Sequence, residues 1–144
     1  MPESSSSSTS SVLKTVDNLG VAYEVIEIDP ALADTALFCK HYGLPMQQSG
    51  NTIIVASKKE PKVFVACVVL ATTRLDVNKR VRKLMGVSKA SFASQKEMKI
   101  LTGMEVGGVT PFSLPEELKL YVDSLIMELE WVILGGGGRD HKVK

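Results

Sequence analysis

The chain has 144 residues, of which 44% are hydrophobic and 23% charged, a balance that supports one globular domain with a substantial core. A formal net charge of +1 excludes a general attraction to polyanions, so any contact with nucleic acid has to come from a local patch. The longest apolar run, Val63 to Ala71, is too short to cross a bilayer, and the amino terminus lacks the basic-then-apolar order of a secretory signal, so no membrane association and a cytoplasmic location are expected.

Residues 1–11 are almost entirely serine and carry no apolar group to offset the entropy of ordering, so a disordered tail is expected, with the folded domain spanning 12–144. The first element is expected to be a helix, capped by Ser10 or Ser11, with Val12, Leu13, Val16 and Leu19 on one face and Gly20 closing it. Val21 to Ile28 alternates as a strand that Asp29-Pro30 ends. Asp34 then caps a helix over Thr35 to Tyr42, stopped by Gly43. Within it, Cys39-Lys40-His41 is the only place where Cys and His are close. It has no second pair at zinc spacing, and a His two residues along a helix points elsewhere, so neither a metal site nor a cysteine nucleophile is expected. Asn51 to Ser57 and Val63 to Ala71 read as strands buried on both faces, joined by the charged turn Lys58 to Lys62. Cys67 lies inside the second strand, so no disulfide is indicated.

An amphipathic helix is expected over roughly Val77 to Met85, with Val77, Val81, Leu84 and Met85 inward. Between Arg74 and Lys89 stand six basic residues, including Lys79, Arg80, Arg82 and Lys83, against the single acid Asp76. That local charge of +5 marks where phosphate contacts would be made, although basic helix faces also serve as plain solubilising surface. A short strand follows over Lys89 to Ala93, and Ser94-Gln95-Lys96-Glu97 has the capping-box spacing that opens a helix ending at Thr102-Gly103. The loop Glu105 to Pro115 contains Gly107-Gly108, where missing Cβ atoms permit close backbone approach and can bare N–H groups to a ligand; a tight connection is the plainer reading. Two strands, Lys119 to Val122 and Trp131 to Leu134, flank a helical turn near Leu125. Gly135 to Gly138 then lets the backbone pass close to another strand or to a ligand, with Arg139-Asp140 at its rim. The elements interleave without a strict βαβ rhythm, which argues against a doubly wound sheet.

Leu101-Thr102-Gly103, then Gly107-Gly108-Val109-Thr110-Pro111-Phe112 and Leu114-Pro115, resembles the signature loop of the YbaK/EbsC-type aminoacyl-tRNA deacylases, relatives of the editing domain of bacterial prolyl-tRNA synthetases. The likeness runs from about Val12 to Lys144 and takes in Asn51-Thr52-Ile53-Ile54-Val55 and the glycine run. It implies a compact mixed α/β domain with a strongly curved, largely antiparallel sheet approaching a barrel and helices packed outside. It also implies a chain that stops short of a further strand usual in relatives.

The chemistry implied is hydrolysis, without metal or cofactor, of the ester on a misacylated tRNA. Gly107, Gly108, Val109 and Thr110 would supply carbonyl donors, with Asn51 and Thr52 at the place of the family's Lys-Thr pair. Gly108→Ala would then spare the fold and remove turnover. Asp34, Pro111, Gly135 and Gly136 would lie against the substrate, and Arg74, Lys79, Arg80, Arg82 and Lys83 against the tRNA. Asn51 puts a neutral amide where the family carries lysine; Lys58 and Lys59 lie beyond the strand and Lys40 on a helix. A trans-editing hydrolase, a catalytically weak aminoacyl-tRNA or nucleotide-binding module, and an interaction domain without RNA are all compatible with the residues. No oligomeric state is set by them, a monomer being the simplest.

Overall fold

The computed structural model describes residues 12–104, 108–112, 114–115, 117–138 and 141–144. The serine-rich tail, Gly107 and Arg139-Asp140 lie outside the described residues. Helix α1 spans 12–19 and ends at Gly20, whose φ of 69° is the left-handed closure expected of glycine. Val12 and Val16 are fully buried, but Leu19 is 59% exposed and does not join them.

Strand β1 is Val25–Glu27, shorter than the alternation suggested, and α2 is Thr35–Tyr42, closed by Gly43 at φ 67°. Strands β2 (Gly50–Ser57) and β3 (Phe64–Leu70) form the central antiparallel hairpin. Next come the wide π-type turn Val77–Val81, the single helical turn α3 (Arg82–Met85), β4 (Ala90–Phe92) and α4 (Gln95–Thr102). The wide turn and α3 together occupy the place of the expected basic helix. Val77, Val81 and Met85 pack inward, whereas Leu84 is 44% exposed. Helix α4 begins with the full capping box: Glu97 N–H donates to Ser94 Oγ and Ser94 N–H to Glu97 Oε1, both at 3.0 Å. Strand β5 (Lys119–Val122), α5 (Ser124–Met127), β6 (Leu134–Gly135) and β7 (His141–Val143) complete the described chain.

The strands form two sheets. One has the order β4-β2-β3-β5, antiparallel except for the parallel pair β3-β5; the other has the order β1-β7-β6 and is antiparallel throughout. The mixed α/β class and the mainly antiparallel pairing are as expected, but neither sheet closes or curls strongly, so the approach to a barrel is not seen. The reason lies at the junction. Gly50 N–H donates to Ile133 O and Ile133 N–H to Gln48 O, making a single bridge between Ser49 and Ile133 where continuous pairing would be needed. Strand β7 lies in the middle of its sheet, between β1 and β6.

Pleating divides the core. Ile54 and Ala66 point to one face, with Val12, Val16, Met104 and Val143, while Val55, Val65 and Cys67 point to the other, against Val77 and Val81. Each valine, isoleucine or methionine among them contributes about 1.5–3 kcal/mol by leaving water. The described ion pairs, Lys62–Glu97 at 3.7 Å and Lys144–Glu24 at 4.0 Å, are open to solvent, which screens them, so they add little. Packing across the central hairpin therefore decides the fold, and it holds the first residues of β2 at the edge of a cavity.

Candidate functional site

A pocket of about 460 Å³ opens where α2, the start of β2, the end of β4 and the glycine-rich segments meet. Helix α2 presents Asp34 and Thr35 because the chain turns into the helix there, with Asp34 extended at φ −62°, ψ 134° as the N-cap residue. Its carboxylate makes no capping hydrogen bond, and the residue is exposed at the mouth. Thr35 Oγ1 donates to Asn51 Oδ1 at 2.6 Å, which fixes the amide so that its nitrogen is the donor left for a ligand. Thr52 adds a hydroxyl whose oxygen is buried with no hydrogen-bond partner among the described residues, and so does the fully buried Thr110. Other buried hydroxyls are bonded, Ser57 Oγ accepting from Val63 N–H at 2.9 Å for example. An unpaired buried hydroxyl costs about 1–3 kcal/mol, so Thr52 is a ready partner for a polar ligand atom.

The glycine-rich segments meet each other. Gly137 N–H donates to Gly108 O at 2.6 Å. A Cβ on Gly135 would stand 2.5 Å from Val109 O and 2.6 Å from Gly108 O. The expected close approach of the Gly135–Gly138 run is thus to the Gly108 loop, and it presses Val109 and Gly135 against the pocket.

The same packing brings in a residue that sequence reasoning missed. Lys142, in the middle strand β7, lines the pocket at only 5% exposure, with its ammonium 5.1 Å from the centre of the Phe38 ring. Its neighbour Val143 points the other way into the core, and its cross-strand partner Gly135 has no side chain to crowd it. The lysines weighed from sequence, Lys40, Lys58 and Lys59, are exposed and do not line this cavity. A lysine alternating with a core valine in a terminal strand was the available signal.

Of the sequence-predicted residues, Asp34, Asn51, Thr52, Val109 and Gly135 line the pocket. Gly108, Thr110 and Gly136 are buried behind it, Pro111 is half-buried, and Gly107 lies outside the described residues. Arg74, Lys79, Arg80 and Lys83 are exposed on the segment around α3, away from the cavity lining. Arg82 is partly committed to structure, its Nε donating to Asn78 O at 2.8 Å.

Neither thiol contributes. Cys39 is buried with Sγ 3.2 Å from Ser49 Oγ, and burial pushes the Cys67 thiol up to about 11. Cys67 therefore carries almost no thiolate at neutral pH, and iodoacetamide at pH 8 is expected to label it only after unfolding, as mass spectrometry would show. Because its folded value lies above the unfolded one, its contribution to stability is present at neutral pH and is lost as pH rises from about 9 towards 11.

Three of the solved structures that share this architecture illustrate the match. The crystal structure of hypothetical protein APE2540 matches with a TM-score of 0.81 at 25% identity, covering 92% of this chain and 86% of that one. A candidate trans-editing enzyme for prolyl tRNA synthetase matches with 0.78 at 21% identity, covering 94% and 84%. A scaffold protein used for epitope backbone grafting gives 0.78 at 21%, covering 94% and 85%. No helix among the described residues is long and apolar enough to cross a membrane. The aminoacyl-tRNA editing domain model matches residues 29–144, a span that holds every residue lining the pocket, and this chain belongs to that family.

Proposed function

We propose that this chain hydrolyses the ester between a wrongly attached amino acid and the terminal ribose of a tRNA, acting in the cytoplasm as a free-standing domain. The observation that carries the reading is the charge order of the pocket, with the exposed Asp34 carboxylate at the mouth, the buried Lys142 ammonium inside, and the neutral donors Asn51 and Thr52 also on its wall. An aminoacyl ester is complementary to this order. Its α-ammonium pairs with Asp34 and its carbonyl oxygen turns towards the donors. Attack by water converts that carbonyl into an oxyanion, the bond to the ribose oxygen breaks, and the ribose oxygen takes up a proton. Donors already in place for the negative charge lower the barrier without rearranging at the moment of reaction. The Val109 backbone belongs to the same wall, held there by Gly135.

The exposed basic residues Arg74, Lys79, Arg80 and Lys83 suit phosphates of the tRNA body, a contact weakened by salt. The similarity to a candidate trans-editing enzyme for prolyl tRNA synthetase makes misacylated proline tRNA the first substrate to try.

One observation favours a second reading, a module that holds aminoacyl-tRNA without turning it over. The Asn51 amide is neutral, and its oxygen is already taken by Thr35. A panel of misacylated tRNAs incubated with the protein separates the two. Release of free amino acid from at least one of them supports the hydrolase, whereas tight filter binding with no release from any supports the holding module.

A further inference from the structure

Phe92, the last residue of β4, is 61% exposed although Ser91 and Phe92 both pair with β2. A single exposed hydrophobic residue is ordinary. The position of this one is not, because it lines two cavities at once. One is the candidate pocket, and the other is a groove of about 300 Å³ whose walls include Lys58, Asp76, Asn78 and Ser91. The groove runs from the ring to the turn that carries the basic cluster, since Asn78 is followed by Lys79 and Arg80. Its acid, Asp76, is engaged as a cap, accepting from Lys79 N–H at 3.1 Å. Lys58 is exposed at the β2–β3 turn.

We infer that this groove is the path of the single-stranded acceptor end, a proposal that rests on reading the pocket as an aminoacyl-ribose site. The terminal adenine stacks on the Phe92 ring as its ribose enters the pocket. The preceding cytidylate lies in the groove, with its phosphate at Lys58 and its base edge within reach of the Asn78 amide and Ser91 hydroxyl. Unpaired bases are recognised in this way, by an aromatic platform beside a cationic track, and the ring face accepts any base while the polar wall supplies the hydrogen bonds. An aromatic side chain left in water between a pocket and a basic track gains most from such a partner.

Binding is measured by calorimetry with two non-hydrolysable probes, a 3′-amide-linked alanyl-adenosine and the corresponding cytidylyl-adenosine, each beside its unacylated form. Phe92→Ala is expected to weaken both acylated probes roughly 5- to 150-fold, the range of one base stack, while Phe92→Trp keeps wild-type affinity. The gain from the second nucleotide is expected to fall with salt and to vanish in Lys58→Gln. Wild-type affinity in Phe92→Ala, or full recovery of affinity in Phe92→Leu, overturns the proposal while leaving the hydrolase reading in place. Binding that depends on Phe92 and Lys58 but ignores the aminoacyl group upholds the groove and removes the aminoacyl reading of the pocket.

Discussion

Gly135→Ala is expected to lower the stability of the fold by about 3 kcal/mol, a fall in Tm of roughly 10 °C by circular dichroism. The new methyl group would meet Val109 O at 2.5 Å, Gly108 O at 2.6 Å and the Gly108 carbonyl carbon at 2.7 Å, all of them backbone atoms that cannot swing aside. Gly108→Ala should behave alike, because its Cβ would collide with the Gly138 carbonyl and come within 2.9 Å of the Gly137 carbonyl carbon. This corrects the expectation that Gly108→Ala spares the fold. The two glycines are structural partners first, and any loss of turnover follows from displacement of Val109. Gly20→Ala is the control: it has nothing within 4 Å and faces only the strain of a φ of 69°, so about 1 kcal/mol is expected. If Gly135→Ala melts with the wild type, the stacking of the two glycine loops has been misjudged.

What could be read in the sequence was local. Gly43, whose N–H donates to Cys39 O, closes α2, and Ser94 with Glu97 opens α4, because caps are satisfied by atoms within four residues, whereas Asp34 holds the N-cap position of α2 without a side-chain cap. The Val-rich strands were legible because β2 and β3 are covered on both faces. Long-range pairing left no such mark. Nothing in Gly135 to Gly138 says that its neighbour is Gly108, and β7 is three residues long, ordered by pairing with β1 and β6 on either side. Leu19 and Leu84 fit their helical stripes yet are exposed, since tertiary packing chooses which part of an apolar face is covered. The site was half legible for the same reason. Asn51 and Thr52 follow from a motif, whereas Lys142 reaches the pocket only through the pairing of β7.

Lys142→Met is expected to lower kcat for deacylation by roughly 10²- to 10³-fold, the cost of removing one preorganised donor to a developing oxyanion. Methionine keeps an unbranched stem of similar reach over Phe38 and removes the ammonium with its donors. At 5% exposure that charge is held by its surroundings, so its loss is expected to lower Tm as well, and kcat is compared on protein that circular dichroism shows to be folded at the assay temperature. A fall in kcat in the folded variant, with binding of a non-hydrolysable aminoacyl-adenosine retained, is the signature that a purely structural lysine would not give. Asn51→Lys in the Lys142→Met background returns an ammonium to the same cavity and should recover about 10-fold, equivalent to about 1.4 kcal/mol of charge assistance. In the wild-type background the same change places a second ammonium in a pocket that already has one, and like charges sharing a site oppose each other, so little gain is expected there. Undiminished kcat in Lys142→Met would assign the lysine to packing and return the oxyanion to Asn51, Thr52 and the Val109 backbone.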